Sequence, residues 1–292
     1  MADPEEGNAF LSYGREIPAS PVVLSVPHAG RTYPDAMWAV SRLSRAQMQS
    51  LEDRYADVLI APLLAAGHSA LVAQAPRALI DLNRDARDID ARLVRGIPHG
   101  QPLIESAKQR GGLGLFPRIL PRVGELWRAP MTWREADKRI ETIHRPYHAA
   151  LARLLADAKR AHGYAILLDI HSMPPLVRPE KQARIQPEVV IGDRFGASAA
   201  DRLSAAVQAV VSGQGYEVAL NHPYSGSYIL DRHGQPQRGI HAVQLEISRT
   251  LYLDPTLSEP GPGLADAQAL IAQIVAAMTQ ELQGDIWPAA AE

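Results

Sequence analysis

The stretch Ala165-Ile166-Leu167-Leu168-Asp169-Ile170 has an apolar side chain at every position except one, and His171 and Ser172 follow it directly. A short run that is apolar on both faces is typical of a strand in the interior of a parallel sheet. Because open α/β sheets bind ligands beyond the carboxyl ends of their strands, we expect His171 to lie in a functional site.

Further segments along the chain have the same strand character or a helical repeat. Apolar, β-branched runs predict strands at 21–26, 69–73, 78–81, 189–191, 216–220 and 239–247. Apolar residues at helical spacing predict helices at about 42–66, 136–161, 197–212 and 263–283, and residues 1–20 are expected to form an irregular or edge segment. This alternation predicts an α/β fold, a three-layer sandwich with a mixed, mostly parallel central sheet.

The whole chain, 1–292, is expected to form a single domain, because no repeat or linker divides it. Residues 85–135 lack strong periodicity and are rich in Gly, Pro and Arg. Long irregular segments of compact domains are usually functional or mobile. We therefore expect a long, partly irregular insertion near the site.

Composition excludes several classes of function. The formal net charge is −2, from 30 Lys and Arg against 32 Asp and Glu, which does not favour nucleic-acid binding. The absence of cysteine rules out disulfides, thiolate nucleophiles and cysteine-bound zinc, so a metal would need ligands from the 10 histidines and from carboxylates. The acidic N-terminus has no signal-peptide core and no run of about 18 apolar residues occurs, which predicts a cytoplasmic protein without a membrane partner. No pattern specifies an oligomeric state.

His28 and His171 follow the two most apolar predicted strands. Such a histidine is often only a hydrogen-bonded structural residue, but two at matching strand ends favour a metal site completed by a carboxylate. Asp169 is a candidate for orienting one ring. Asp53 and Asp57 are four residues apart in a predicted helix and share a face, so either could be the third ligand, or both could belong to a solvated face together with Glu52.

Glu246 lies inside the apolar run Val243–Ile247. A buried carboxylate there requires a partner or a function, and burial would raise its pKa toward a value useful for a general base. The alternative is an exposed position on an edge strand. Asn83 and Arg84 could bind a substrate carboxylate, although Arg84 could instead pair with Asp81 or Asp85.

Other motifs are less informative. His144 and His148 are four residues apart, but Arg145 stands where a zinc protease motif requires glutamate, so we expect a structural role for both histidines. Gly111–Gly114 has no following lysine for phosphate binding. The chain has no G-x-S-x-G context for a catalytic serine.

Several segments together resemble the N-formylglutamate amidohydrolase family, from about residue 20 to 255. They are VVLSVPHAGRTYP, LEDRYAD, PRALIDLNRD, GLGLFPR, HRPYH, LLDIHSMPP, NHPYSGSYI and GIHAVQLEISRTLYLD. The resemblance implies a fold related to the zinc carboxypeptidases, one bound zinc and a glutamate base. By position, it implies His28 and His171 as metal ligands, Glu246 as the base, and Asn83 with Arg84 as the substrate-carboxylate pair.

The chain departs from the zinc carboxypeptidases at Arg31, where those enzymes have a glutamate ligand. Asp53 is the preferred third ligand and Asp57 the alternative. The expected reaction is hydrolysis of N-formyl-L-glutamate to L-glutamate and formate, with Arg118 or Arg232 polarising the carbonyl oxygen. Alternatives are a relaxed hydrolase of N-acyl amino acids or small peptides, and a non-catalytic carboxylate-binding protein.

Overall fold

The computed structural model describes residues 8–15, 17–176 and 186–283. The helices are α1 (Asp35–Val40), α2 (Arg45–Gln49), α3 (Ala56–Leu59), α4 (Ala61–Ala65), α5 (Ala107–Arg110), α6 (Trp133–Arg139), α7 (Arg145–His162), α8 (Asp201–Gly213), α9 (Tyr228–His233) and α10 (Leu264–Glu281). A π-helical turn, Ile140–His144, joins α6 to α7, and 3-10 turns occur at Pro236–Arg238 and Arg249–Leu251. The strands are β1 (Phe10–Tyr13), β2 (Val22–Val26), β3 (Ser69–Ala73), β4 (Val94–Arg95), β5 (Ile119–Leu120), β6 (Gly124–Glu125), β7 (Met131–Thr132), β8 (Ala165–Met173), β9 (Val189–Gly192), β10 (Val218–Leu220) and β11 (Ile240–Ser248).

A seven-stranded sheet has the order β1-β3-β2-β8-β11-β9-β10. β8 pairs in parallel with both β2 and β11, β9 runs antiparallel to β11, and β10 runs parallel to β9. All nine residues of β8 are buried, as expected for an apolar central strand. The predicted α/β class with a mixed, mostly parallel sheet is confirmed.

The chain divides into two compact units. One comprises the chain up to Leu11 with Pro27–Arg54 and Val72–Ala150, and the other comprises Ser12–Val26, Tyr55–Leu71 and Leu151 onward. The predicted single domain stays a prediction. Among the described residues, none of the helices is long and apolar enough to cross a bilayer.

In the second unit, helices cover both faces of the sheet. Ala200, just before α8, donates its backbone N–H to His241 Nδ1 on β11. On the opposite side, α9 contacts β8 and β11 and carries His233, whose electrostatic partners include Asp169. His241 and Asp169 point to opposite faces, since Asp169 pairs in register with Gln244 and side chains alternate along a strand.

The first unit has an apolar core of its own. Residues 85–135, predicted to be a partly irregular insertion, contribute short paired strands and the buried side chains of Leu115, Phe116 and Leu126. Helix residues Ala136 and Ile140 pack into the same cluster. This segment is therefore irregular in secondary structure but well packed.

Three predicted elements differ from the structure. The predicted helix at 42–66 is wrong, because α2, α3 and α4 are separate short helices and Tyr55 has a left-handed φ of 59°. The predicted strand at 78–81 is also wrong, since this segment forms turns without sheet pairing. The predicted helix at 136–161 begins earlier, at Trp133, and contains the π-helical turn.

Candidate metal site

His28 lies in the tight loop that follows β2. Its Nε2 donates to Asp81 Oδ1 at 2.7 Å, and its Nδ1 lies 3.3 Å from Asp53 Oδ2. The loop packs so closely that a Cβ added to Gly30 would lie 2.1 Å from the carbonyl oxygen of Ala75. Because Asp81 engages Nε2, Nδ1 is the ring atom of His28 that faces the Asp53 carboxylate.

Asp53 is fixed to the His28 loop by its own backbone, since its N–H donates to the His28 carbonyl at 2.9 Å. It lies in a turn between α2 and α3, so the helix face that it was predicted to share with Asp57 does not exist. The neighbouring Glu52 is buried, and it accepts from Tyr33 Oη at 2.6 Å and from Arg54 Nη1 at 3.0 Å. Glu52 is thus a buried, paired carboxylate and not part of a solvated helix face.

Asp81 is fully buried, and both of its oxygens accept hydrogen bonds. Besides His28, Oδ1 accepts the Asn83 N–H at 2.9 Å, and Oδ2 accepts Arg77 Nε at 2.9 Å. Burial alone would raise the pKa of Asp81, but Arg77, Arg84 and His28 hold it well below its usual value. Asp81 is therefore an ionised partner that accepts the Nε2 proton of His28 and fixes the orientation of the ring.

An equivalent pair occurs on the second histidine. Asp169 Oδ2 accepts from His171 Nε2 at 2.8 Å, and Asp169 Oδ1 accepts from Ser25 Oγ at 2.6 Å. Ser25 and Asp169 are register partners on β2 and β8. The hydrogen bond to Asp169 engages Nε2, which leaves Nδ1 as the ring atom of His171 that could hold a metal. His171 lies within β8 and not after it, because the strand continues to Met173.

His28, Asp53 and His171 form one buried group in which each residue offers a ligand atom within 4.8 Å of the other two. Two imidazole nitrogens and one carboxylate oxygen form a donor set typical of catalytic zinc. A closed structural site would have a fourth protein ligand, so three donors are compatible with a position for water or substrate. Asp57, the alternative ligand, is half-buried in α3 and does not belong to this group.

Glu246 is on β11, directly opposite His171 in the parallel register of β8 and β11. Register partners point to the same face of a sheet, on strands about 4.8 Å apart. Glu246 is half-buried and accepts from Gln244 Nε2 at 3.1 Å. Because β11 lies between β8 and β9, an exposed edge-strand position for Glu246 is excluded.

Asn83 and Arg84 are buried in the turn after Asp81. Arg84 Nε donates to the Leu113 carbonyl at 2.9 Å, and Arg84 Nη1 donates to the Asn83 carbonyl at 2.6 Å. These bonds fix the guanidinium against backbone, and Arg84 Nη2 lies 3.9 Å from Asp81 Oδ2. The substrate-carboxylate role of Asn83 and Arg84 stays a prediction.

The two arginines predicted to assist the carbonyl oxygen have protein partners. Arg118 Nε donates to Asp90 Oδ2 at 2.7 Å, and Arg118 Nη1 lies 3.6 Å from Glu125. Arg232 is exposed on α9, where its Nη1 donates to Tyr228 Oη at 2.8 Å. The predicted role of both arginines is untested by these contacts.

Sequence reasoning did not single out His233. Burial, together with the adjacent Arg232, lowers its pKa to about 4, against the opposing effect of Asp169. His233 is therefore neutral near neutral pH. His233 comes close to Asp169 because α9 packs against β8, and this packing cannot be read from the sequence.

Fold and site define an α/β protein with a buried His/Asp/His group that could hold a metal ion. A family model for N-formylglutamate amidohydrolase matches residues 20–253. N-formylglutamate deformylases of Pseudomonas aeruginosa and Pseudomonas putida are each 31% identical over 237 residues, covering 80% and 81% of this chain and 82% and 83% of their own. The chain therefore belongs to the N-formylglutamate amidohydrolase family.

A solved structure agrees with this assignment. The N-formylglutamate amidohydrolase of Ralstonia eutropha JMP134 matches with a TM-score of 0.82 at 29% identity, covering 94% of this chain and 96% of that one. A protein of Agrobacterium tumefaciens shares the fold, with a TM-score of 0.66 at 19% identity and coverage of 94% and 96%.

Proposed function

We propose that this protein is a zinc-dependent amidohydrolase that converts N-formyl-L-glutamate to L-glutamate and formate. The observation that carries the proposal is the buried group of His28, Asp53 and His171 in a chain of this family. The deformylase names of the Pseudomonas relatives support the substrate. A non-catalytic carboxylate-binding protein would need neither this donor set nor a half-buried glutamate on the strand next to His171.

The residues fit a zinc ion in donor type, burial and spacing. Both histidines present Nδ1, because Asp81 and Asp169 engage their Nε2 atoms. When bound, zinc supplies Lewis acidity toward the formyl carbonyl and lowers the pKa of water. The two carboxylates fix the tautomer and the orientation of each ring, which is the usual task of groups behind metal-bound histidine.

Glu246 is the proposed general base. It accepts a proton from water as the water oxygen bonds to the formyl carbon, and it returns that proton to the nitrogen as the C–N bond breaks. The products are formate and the free amino group of glutamate. Its position opposite His171 and its partial burial support this role.

Asn83 and Arg84 are the proposed partners of a substrate carboxylate. The fixed Arg84 side chain supports this proposal, because a preorganised guanidinium loses little freedom when a carboxylate binds. Arg118 or Arg232 is the proposed assistant at the carbonyl oxygen.

The test is a formate-release assay on protein stripped with a chelator and then reloaded with zinc. We expect activity on N-formyl-L-glutamate to be lost on stripping and to return with about one zinc per chain. N-acetylglutamate and glutamyl dipeptides distinguish the relaxed hydrolase from the deformylase. Carboxylate binding with no turnover of any of these substrates by the zinc-loaded protein would refute the proposal.

A further inference from the structure

The turn segment 79–84 has no sheet or helix pairing for its backbone carbonyls. Buried carbonyl groups without such partners need other donors, because leaving them unsatisfied is costly. Side chains supply these donors here. Arg139 Nη1 donates to the Leu79 carbonyl at 3.0 Å, His148 Nε2 to the Leu82 carbonyl at 3.0 Å, and His144 Nε2 to the Arg84 carbonyl at 2.8 Å.

All three donors come from the continuous helix formed by α6, the π-helical turn and α7. In an unbroken α-helix, Arg139 and His144 would point roughly 140° apart, since five residues exceed one turn. The π-helical turn between them, closed by the Arg145 N–H on the Ile140 carbonyl, brings them toward one side. Pro146 favours this irregularity, because it has no N–H and its ring crowds the carbonyl of the preceding turn.

The two histidines hold the carbonyls on either side of Asn83. Both rings are buried, and their centroids are 4.4 Å apart. A carbonyl can only accept, so each Nε2 carries its proton and donates. Asn83 is thus held from both flanks, while its own N–H is taken by Asp81.

We propose that His144 and His148 are positioning residues for the substrate-carboxylate segment, and that the π-helical turn sets their register. This inference rests on the proposed function, in which Asn83 and Arg84 contact the substrate. The histidines act through the backbone of residues 82 and 84 and do not touch the substrate. When either histidine bond is lost, the backbone of residues 79–84 is no longer held in one conformation.

The test removes the donor at each histidine and restores it at His148. His148→Leu and His144→Leu remove the donor at similar volume, and making both keeps the test decisive if one of them fails to fold. His148→Gln restores an N–H donor the same number of bonds from the backbone. The matched control is His162→Leu, because His162 on the same α7 donates its Nε2 to a backbone carbonyl, that of Pro18, at 2.9 Å.

Two readouts are measured at saturating zinc. Amide hydrogen exchange of a peptide covering 79–84 needs no substrate and should accelerate in both Leu variants, return toward wild type in His148→Gln and stay normal in His162→Leu. KM for N-formyl-L-glutamate should rise about tenfold in the Leu variants, the scale of one lost hydrogen bond, with a smaller change in kcat.

Each outcome is decisive. Unchanged hydrogen exchange in both Leu variants would overturn the proposal that His144 and His148 hold the segment 79–84. Faster exchange with an unchanged KM, or an equal rise of KM in His162→Leu, would show that the two histidines only stabilise the fold and do not position the substrate-carboxylate segment. Absence of deformylase activity in the wild type would refute the proposed function. The exchange measurement would still show whether the two histidines hold the segment 79–84.

Discussion

The substitution Asp81→Asn tests whether a buried carboxylate controls the metal affinity of His28. Asp81 receives His28 Nε2, the Asn83 N–H and Arg77 Nε on its two oxygens, at 2.7, 2.9 and 2.9 Å. An asparagine offers one acceptor oxygen and one donor group. It therefore has to place its NH₂ against either the Arg77 donor or the His28 donor.

Both arrangements weaken the site. If the NH₂ faces His28, the ring accepts through Nε2 and its proton moves to Nδ1, the atom that faces Asp53. If it faces Arg77, the hydrogen bond from the partly buried Arg77 guanidinium is lost. Loss of the carboxylate behind a metal-bound histidine typically lowers metal affinity by about 10- to 100-fold. That range corresponds to about 1.4–2.8 kcal/mol of binding free energy.

The assay is competition for zinc with a chromophoric chelator, and it needs no substrate. Asp85→Asn is the control, because Asp85 lies in the same turn region but its carboxylate pairs with Arg87. We expect the Asp85 variant to bind zinc like the wild type. Wild-type affinity in a folded Asp81→Asn variant would refute the claim that Asp81 sets the tautomer of His28.

Three further predictions concern the base, the loop and acid stability. In Glu246→Gln, turnover should fall by about 10²–10⁴ with zinc content unchanged, and loss of zinc would make Glu246 a ligand instead. Gly30→Ala should lower the melting temperature and zinc affinity, since its Cβ would meet the Ala75 carbonyl oxygen at 2.1 Å, whereas Gly213→Ala meets nothing within 4 Å and should not. Burial and then Arg202 lower the pKa of His241 to about 4. The unfolded chain therefore binds a proton at His241 as the pH falls, while the folded chain does not. His241 should for this reason lower the free energy of unfolding by about 2 kcal/mol between about pH 7 and about pH 5. In His241→Gln, the free energy of unfolding measured in urea should decrease less over the same drop in pH.

The α/β class could be predicted because β2 and β8 begin with unbroken apolar runs, Val22–Leu24 and Ala165–Leu168. Such runs have few structural alternatives to a central strand. The predicted strand at 78–81 failed because the apolar residues Ala78 and Ile80 are buried in the first unit's core without forming a strand. Burial alone does not distinguish a strand from a packed turn over so few residues.

The candidate metal site could be predicted in its residue types but not in its hydrogen bonds. His28, His171 and Asp53 could be chosen as ligands from strand ends and from the family resemblance. Asp81 appeared in sequence only as a possible ion-pair partner of Arg84, because its contact with His28 depends on how two loops pack. The choice between Asp53 and Asp57 likewise depended on the break between α2 and α3, where Tyr55 has a left-handed backbone. The spacing of apolar residues in the sequence does not reveal this break.

The most direct test of the central claim is the position of the metal itself. Crystals of zinc-loaded protein, measured on both sides of the zinc absorption edge, locate the ion by its anomalous difference signal. The account predicts one peak per chain within about 2.0–2.2 Å of His28 Nδ1, His171 Nδ1 and an Asp53 oxygen. A peak held by other residues, or no peak at these three atoms, would contradict it.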